Sequence, residues 1–225
     1  MSPGNRLKTK NVSPDAQPED ALVNTADQRP DAAATPDDQP EDALVNTKAP
    51  EKVQQMFGDI AGTYDFLNHA LSMNIDKRWR RFTARQVMSA ESCRILDVCG
   101  GTGDLALALR EEALLIKASP VIVCSDFTPE MMRIGARKFT RLDTGTRDLN
   151  ALLRPVPLIA DTTCLPFSDD QFDVVTVAFG IRNVVNTSAG LREMARVCRP
   201  GGVVAVLEFS ETRHPLINSG FRFYF

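Results

Sequence analysis

Residues 95–103 read Ile-Leu-Asp-Val-Cys-Gly-Gly-Thr-Gly: an apolar run carrying one acidic side chain, then a glycine-rich turn. The twelve residues that follow, Asp104–Leu115, repeat apolar side chains at helical spacing. A strand that feeds a tight turn and then a helix is the opening unit of a parallel sheet. Glycines let the turn tighten and let the backbone come close to a ligand that a Cβ would block. This segment therefore constrains both the fold and the kind of molecule the fold holds.

The same alternation continues down the chain. Apolar runs at Arg94–Cys99, Val121–Ser125, Val156–Ala160, Asp173–Ala178 and Val203–Phe209 are separated by helix-period segments at Asp104–Leu115, Glu130–Leu142 and Thr187–Cys198. Runs this apolar predict parallel strands covered on both faces, so the fold class is α/β. Pro200-Gly-Gly202 is expected to end the last helix and turn the chain into the fifth strand. Ahead of the sheet, residues 51–88 are helical in pattern, with Val53, Met56, Phe57 and Ile60 on one stripe. Three parts follow: a tail at 1–50, a helical lid at 51–92, and a nucleotide-binding domain at 93–225.

The tail holds seven of the fourteen prolines, has no aromatic residue and carries a net charge of −4. Such a segment buries too little apolar surface to offset its ordering entropy, so it is expected to be disordered. It contains a duplication: Gln-Pro-Glu-Asp-Ala-Leu-Val-Asn-Thr occurs at 17–25 and again at 39–47. The plain reading is a duplicated linker; the sharper one is a docking motif presented twice with Ala-Leu-Val as anchor. The remainder of the chain is close to neutral, which argues against nucleic acid as a partner. There is no membrane-spanning run and no secretory signal in the given sequence. Five scattered cysteines without a Cys-x-x-Cys pair fit a reducing cytoplasm, and two unpaired histidines offer no metal site. The cluster Lys77-Arg-Trp-Arg-Arg81 reads as a solvated helix face with Trp79 packed inward, or as a weak contact with a membrane surface, which would place the chain peripherally at the inner membrane face.

The chemistry gathers at the ends of the strands. Gly100, Gly101, Thr102 and Gly103 form the turn, and Asp126 ends the second strand where a carboxylate can accept both ribose hydroxyls of an adenosine. As an alternative, Asp126 caps the helix beginning near Pro129. Asp161 ends the third strand, next to Thr162, and suits the exocyclic amine of adenine; it would equally start an Asx turn. Asp97 separates two cofactor classes. A dinucleotide would bring a pyrophosphate to the turn, and a like charge there costs on the order of several kcal/mol in a partly dry site. S-adenosylmethionine brings a sulfonium and an ammonium instead, and Asp97 favours it.

These motifs, with Met56-Phe-x-x-Ile-Ala-x-x-Tyr-Asp-x-Leu-Asn68, Trp79-Arg-Arg81, Ala178-Phe-Gly-Ile-Arg-Asn183, Glu193-Met-Ala-Arg-Val197 and Leu207-Glu-Phe-Ser210, resemble the ubiquinone/menaquinone biosynthesis C-methyltransferase family over 51–225. Ile75-Asp-Lys-Arg-Trp-Arg-Arg81 looks closer to the menaquinone branch. The resemblance implies a Rossmann-like class I methyltransferase sheet, S-adenosylmethionine as cofactor with Ala178 in its site, and a polyprenyl quinol as substrate. It implies methyl transfer to a ring carbon, demethylmenaquinol becoming menaquinol. A 2-methoxy-6-polyprenyl-benzoquinol is the alternative acceptor. Arg182 is then expected to steady the phenolate and orient a water, and Asn183 to hydrogen-bond the ring oxygen. Tyr64 and Asp65 fall on the lid, as does His69, a candidate base with an equally plain structural reading.

One departure stands out. The family's sheet carries two further strands after the fifth, as an antiparallel pair, and this sequence ends at 220–225 where the preceding helix would begin. The expected sheet therefore has five parallel strands and lacks that pair. Readings that stay open are a quinol methyltransferase, a methyltransferase for another small acceptor, and a chain that binds the cofactor without turnover. Monomer and homodimer both stay open as well.

Overall fold

The computed structural model describes residues 23–25, 50–71, 75–92, 94–143 and 153–208, without the side chains of 23–25, 50 and 64–71. Its elements are β1 (Val23–Thr25), α1 (Pro50–Leu71), α2 (Ile75–Val87), β2 (Arg94–Val98), α3 (Asp104–Leu115), β3 (Val121–Asp126), α4 (Pro129–Thr140), β4 (Val156–Ile159), β5 (Phe172–Ala178), α5 (Thr187–Val197) and β6 (Cys198–Leu207). The sheet order is β1-β6-β5-β2-β3-β4. Strands β2 to β6 run parallel, as the alternation of apolar runs and helices predicts.

The chain winds outward from β2 through β3 to β4, then returns to β5 on the other side and continues to β6. The switch in direction lies between β2 and β5, and ligands of such sheets bind in the crevice beyond the carboxyl ends of those strands. Alternate side chains of β2 feed two cores. Ile95 packs with Leu105, Leu109, Ile122 and Phe139 on one face, and Leu96 and Val98 pack with Val175, Val177, Met194 and Val197 on the other.

The stretch expected to be helical, 51–88, is helical and divides into two helices, α1 and α2. Two features differ from the sequence reading. Strand β6 begins at Cys198, ahead of Pro200-Gly-Gly202, because Cys198 pairs with Phe172 and the next pair is Val203 with Val174. The glycine-containing stretch is thus a bulge inside the strand, with Gly201 in the left-handed region at φ 74°. Second, Val23–Thr25 of the tail forms a strand that pairs antiparallel with Val203–Ala205 and covers the outer edge of β6. The sequence reading placed five strands in the sheet; this sixth comes from the first copy of the repeat. The remainder of the tail to residue 49, the second copy at 39–47 and the stretch 220–225 lie outside the described residues. No helix among the described residues is long and apolar enough to cross a membrane.

Candidate active site

The turn between β2 and α3 is held from below. The Gly100 N–H donates to the Ser125 carbonyl at 2.9 Å, and the Gly103 N–H donates back to the Gly100 carbonyl at 2.8 Å. A Cβ on Gly100 would stand 2.5 Å from Cys124 Sγ and 3.1 Å from Asp97 Oδ2. Gly103 has φ 86°, and a Cβ there would meet the Phe139 ring at 2.3 Å. Neither position admits a larger residue, so the backbone itself forms the floor of the crevice.

Asp97 lies beneath this turn and is completely buried. Its Oδ1 accepts from Thr176 Oγ1 at 2.9 Å across the β2–β5 pair. Oδ2 makes no hydrogen bond of ordinary geometry. Burial pushes the carboxyl from 3.8 up to about 7, against the pull of the Thr176 hydroxyl and the positive charge of Arg80. An acid group held this way at a strand end, with one oxygen unspent, is matched to a cationic ligand atom. Cys99, half-buried beside it, has its thiol pushed up to about 12 by desolvation, so it is a neutral wall rather than a nucleophile.

Asp126 does two jobs at once. Oδ2 accepts from the Gly101 N–H and Oδ1 from the Thr128 N–H, each at 2.8 Å. It therefore ties the turn to Thr128, which is itself the N-cap of α4, so Asp126 does not cap that helix as the alternative expects, and its side chain lines the cleft. Burial raises its pKa, opposed by those two backbone donors. Asp161 Oδ1 accepts from the Thr163 N–H and Oγ1, the Asx-turn arrangement, and its side chain also lines the cleft.

The cleft has a volume of about 450 Å³. It brings together Asp126, Asp161, Thr162, Ala178 and Asn183 from the expected set, with Gly101 at its inner end. A small contiguous recess adds Asp97, Gly100 and Thr102. The Thr102 hydroxyl also accepts from Lys138 Nζ at 2.9 Å, which braces the turn against α4. Arg182 is not on the cleft wall; its guanidinium pairs with Glu208 at 2.7 Å. Tyr64, Asp65 and His69 lie on α1, and their side chains fall outside the described residues.

Several wall residues were not among the site residues expected from the sequence, although Val53 and Phe57 lie on the apolar stripe of the lid. Val53 and Phe57 roof the cleft from α1, which is tied down by a hydrogen bond from Gln54 Nε2 to the Phe127 carbonyl at 2.9 Å. Phe127, Met131 and Phe179 supply further apolar wall. Phe179 stands at φ 58°, and a Cβ on the next residue, Gly180, would lie 2.4 Å from the Cys99 Cβ. That close approach is why the Phe-Gly-Ile-Arg-Asn stretch needs its glycine. Arg80 corrects the reading of the basic cluster as one solvated face. Lys77, Arg78 and Arg81 are exposed, but Arg80 is buried with Asp76 and opens onto the recess beside Asp97. Among the described residues no group of three His, Cys, Asp or Glu side chains could hold a metal ion.

S-adenosylmethionine fits this donor set. Asp97 lines the recess with one oxygen unspent, which suits the positive end of such a ligand, and Asp126 and Asp161 on the adjoining cleft offer acceptors to hydroxyls and an amine.

The comparisons with known proteins agree with the geometry. Residues 45–225 match the model of the ubiE/COQ5 methyltransferase family. The chain is 46% identical over 175 residues to the ubiquinone/menaquinone biosynthesis C-methyltransferase UbiE of Geotalea daltonii, a match covering 78% of this chain and 70% of that protein. It is 39% identical over 175 residues to the demethylmenaquinone methyltransferase of Deinococcus radiodurans, covering 78% and 67%. Among solved structures, the [4+2]-cyclase SpnF aligns with a TM-score of 0.58 at 19% identity over 73% of this chain and 61% of that one. A SAM-dependent methyltransferase of Thermotoga maritima aligns with a TM-score of 0.53 at 15% identity, over 76% and 67%. At those identities the structures speak for the fold alone, while the family match and the sequence relatives speak for the chemistry: the chain belongs to the ubiE/COQ5 methyltransferase family, and its cofactor is S-adenosylmethionine.

Proposed function

We propose that the chain methylates a ring carbon of a polyprenyl hydroquinone, with demethylmenaquinol as the acceptor. The observation that carries the reading is the single cleft in which an apolar wall of Val53, Phe57, Phe127, Met131, Phe179 and Val184 meets polar Asn183 at the mouth of the glycine turn. A flat aromatic ring with one or two hydroxyls matches that lining. Bound S-adenosylmethionine supplies an electrophilic methyl group on a positively charged sulfur. The protein's share is to bring the ring carbon into line with that group and to keep water away from it. Asn183 holds the ring oxygen by a hydrogen bond. Arg182, which pairs with Glu208 off the cleft wall, must swing out of that pair to favour the ionised hydroxyl that pushes electron density onto the reacting carbon and to orient a water that takes the ring proton. Glu208 holds Arg182 in the geometry observed here.

The exposed Lys77, Arg78 and Arg81 on α2 support docking at an anionic lipid surface, where the prenyl tail of the acceptor resides. One experiment covers the reading. Methyl transfer from labelled cofactor is followed to short-chain demethylmenaquinol and to the benzoquinol, each presented in anionic vesicles and in detergent. Transfer to the naphthoquinol, faster in vesicles and lost in Arg182→Ala with cofactor affinity intact, is the expected result. Cofactor binding with transfer to neither ring would overturn the assignment, and transfer only to the benzoquinol would redirect it to ubiquinone synthesis. Equal rates in vesicles and detergent would remove the surface-docking part.

A further inference from the structure

The outer face of α4 carries a charge pattern that the methyl-transfer site does not use. Arg133, Arg137 and Arg141 follow one another at four-residue spacing, so they share one face of the helix, and all three are exposed. The neighbouring cation Lys138 is engaged by Asp104 at 2.8 Å. The three arginines pair with no described carboxylate. Arg133 and Arg141 are eight residues apart, about 12 Å along the helix. Like charges in a row repel one another and attract an anion of matching length.

The tail contains such an anion. Residues 30–47 hold Asp31, Asp37, Asp38, Glu41 and Asp42 and no Lys, Arg or His. Asp37-Asp38 and Glu41-Asp42 form two pairs four residues apart, about 13 Å in an extended chain, which is the length of the arginine stripe. Pro36 and Pro40 favour that extended form. The chain also delivers this segment to α4. Gln54 of α1 donates to the Phe127 carbonyl, two residues ahead of α4, and a Cβ on Gly58 would lie 3.4 Å from Glu130 Oε2, so the tail enters the fold at the start of α4. Asp42 precedes Pro50 by eight residues, which reach up to about 26 Å, and Arg141 lies about 18 Å along the helix from Pro129. From Thr25, seated on β6, twelve residues lead to Asp37 and span up to about 40 Å, against about 24 Å across the whole sheet. We infer that residues 37–42 dock on the arginine stripe of α4, so that the acidic tail is an intramolecular partner of the folded domain. Each exposed pair is weak by itself; three act together on a tethered segment, and salt screens them.

The test is a footprint of the full chain with phenylglyoxal, which modifies accessible arginines, read residue by residue by mass spectrometry. The unaltered chain is compared with Asp37→Asn/Asp38→Asn/Glu41→Gln/Asp42→Asn, four positions outside every described element. At low salt, Arg133, Arg137 and Arg141 are expected to react about threefold or more faster in the neutralised chain, while the exposed Arg78, Arg81 and Arg192 change by less than about 1.5-fold. In about 0.5 M sodium chloride, where the Debye length is about 4 Å, the difference disappears. Equal rates at the three stripe arginines in both chains at low salt would overturn the inference. So would an equal rise at all six arginines, which reports net charge alone. Vesicles of phosphatidylglycerol and phosphatidylcholine form the last arm: protection of the stripe to the same degree in both chains would assign it to an anionic lipid surface and overturn the tail as its occupant.

Discussion

Replacing Asp97 by Asn should change how the stability of the ligand-free chain depends on pH. The carboxyl is pushed from 3.8 to about 7 by burial. A raised folded-state value means that the folded chain keeps a proton which the unfolded chain has released, so its contribution is full below about pH 4 and falls away as pH rises to about 7. Some three pH units at ~1.4 kcal/mol each give a ceiling of about 4 kcal/mol. Asparagine has nearly the same shape and does not titrate, and its side-chain oxygen can still accept from Thr176. The stability of the native chain, relative to Asp97→Asn, should therefore drop by up to about 4 kcal/mol between pH 4 and pH 8, or some 8–16 °C in relative Tm at ~2–4 °C per kcal/mol. Titrating groups not coupled to Asp97 cancel in the difference; Asp126 is the coupled carboxylate. Urea denaturation of both chains across that range, followed by circular dichroism, measures it. A second limb follows from the same linkage: S-adenosylhomocysteine should bind the native chain more tightly as pH rises through 7, because its ammonium pairs with the ionised form. A stability difference flat to within about 0.5 kcal/mol would refute the reasoning, since it would mean that Asp97 does not titrate in this interval.

Two further outcomes test the scaffold. Gly180→Ala places a Cβ 2.4 Å from the Cys99 Cβ and 3.1 Å from the Cys99 carbonyl oxygen, and should cost about 1–3 kcal/mol by overpacking, read as a lower urea midpoint with weaker cofactor binding. Arg196→Met removes donors to Glu193, Asp169 and the carbonyls of Leu165 and Phe167, which pin the loop after Asp161; a loss of about 1–3 kcal/mol is expected, and an unchanged midpoint would show that Leu165 burial and its N–H bond to Glu193 hold the loop without Arg196.

How much of this was legible in the sequence follows from what each signal depends on. The strands and helices from 94 to 207 were readable because local periodicity fixes them, and Asp97, Asp126 and Asp161 were readable because strand ends in such sheets face the ligand. The burial of Asp97 was only half visible: its place at the end of β2 was clear, but Thr176 opposite it on β5 is a tertiary partner. Arg80 was missed for a related reason. The buried stripe of α2 is Asp76, Arg80, Thr83, Ala84 and Val87, a regular helical stripe whose first two members are charged, and a search for apolar spacing passes over it. For Thr102 the sequence shows a place in the turn but not the bond from Lys138, which only the docking of α4 supplies. The strand at Val23–Thr25 had no compositional cue, because its partner is an edge and not a neighbour in sequence.

The Phe139 ring occupies the space where position 103 would otherwise carry a side chain, and Phe139 itself is 1% exposed within the main core. The hydrophobic interior thus acts as a mould for the bend that meets the methyl donor. A bend cast when the protein folds has little disorder left to lose when its small molecule arrives, so the entropy of shaping it is charged to folding rather than to docking. Trimming the Phe139 ring would loosen from behind a binding surface that it supports at Gly103.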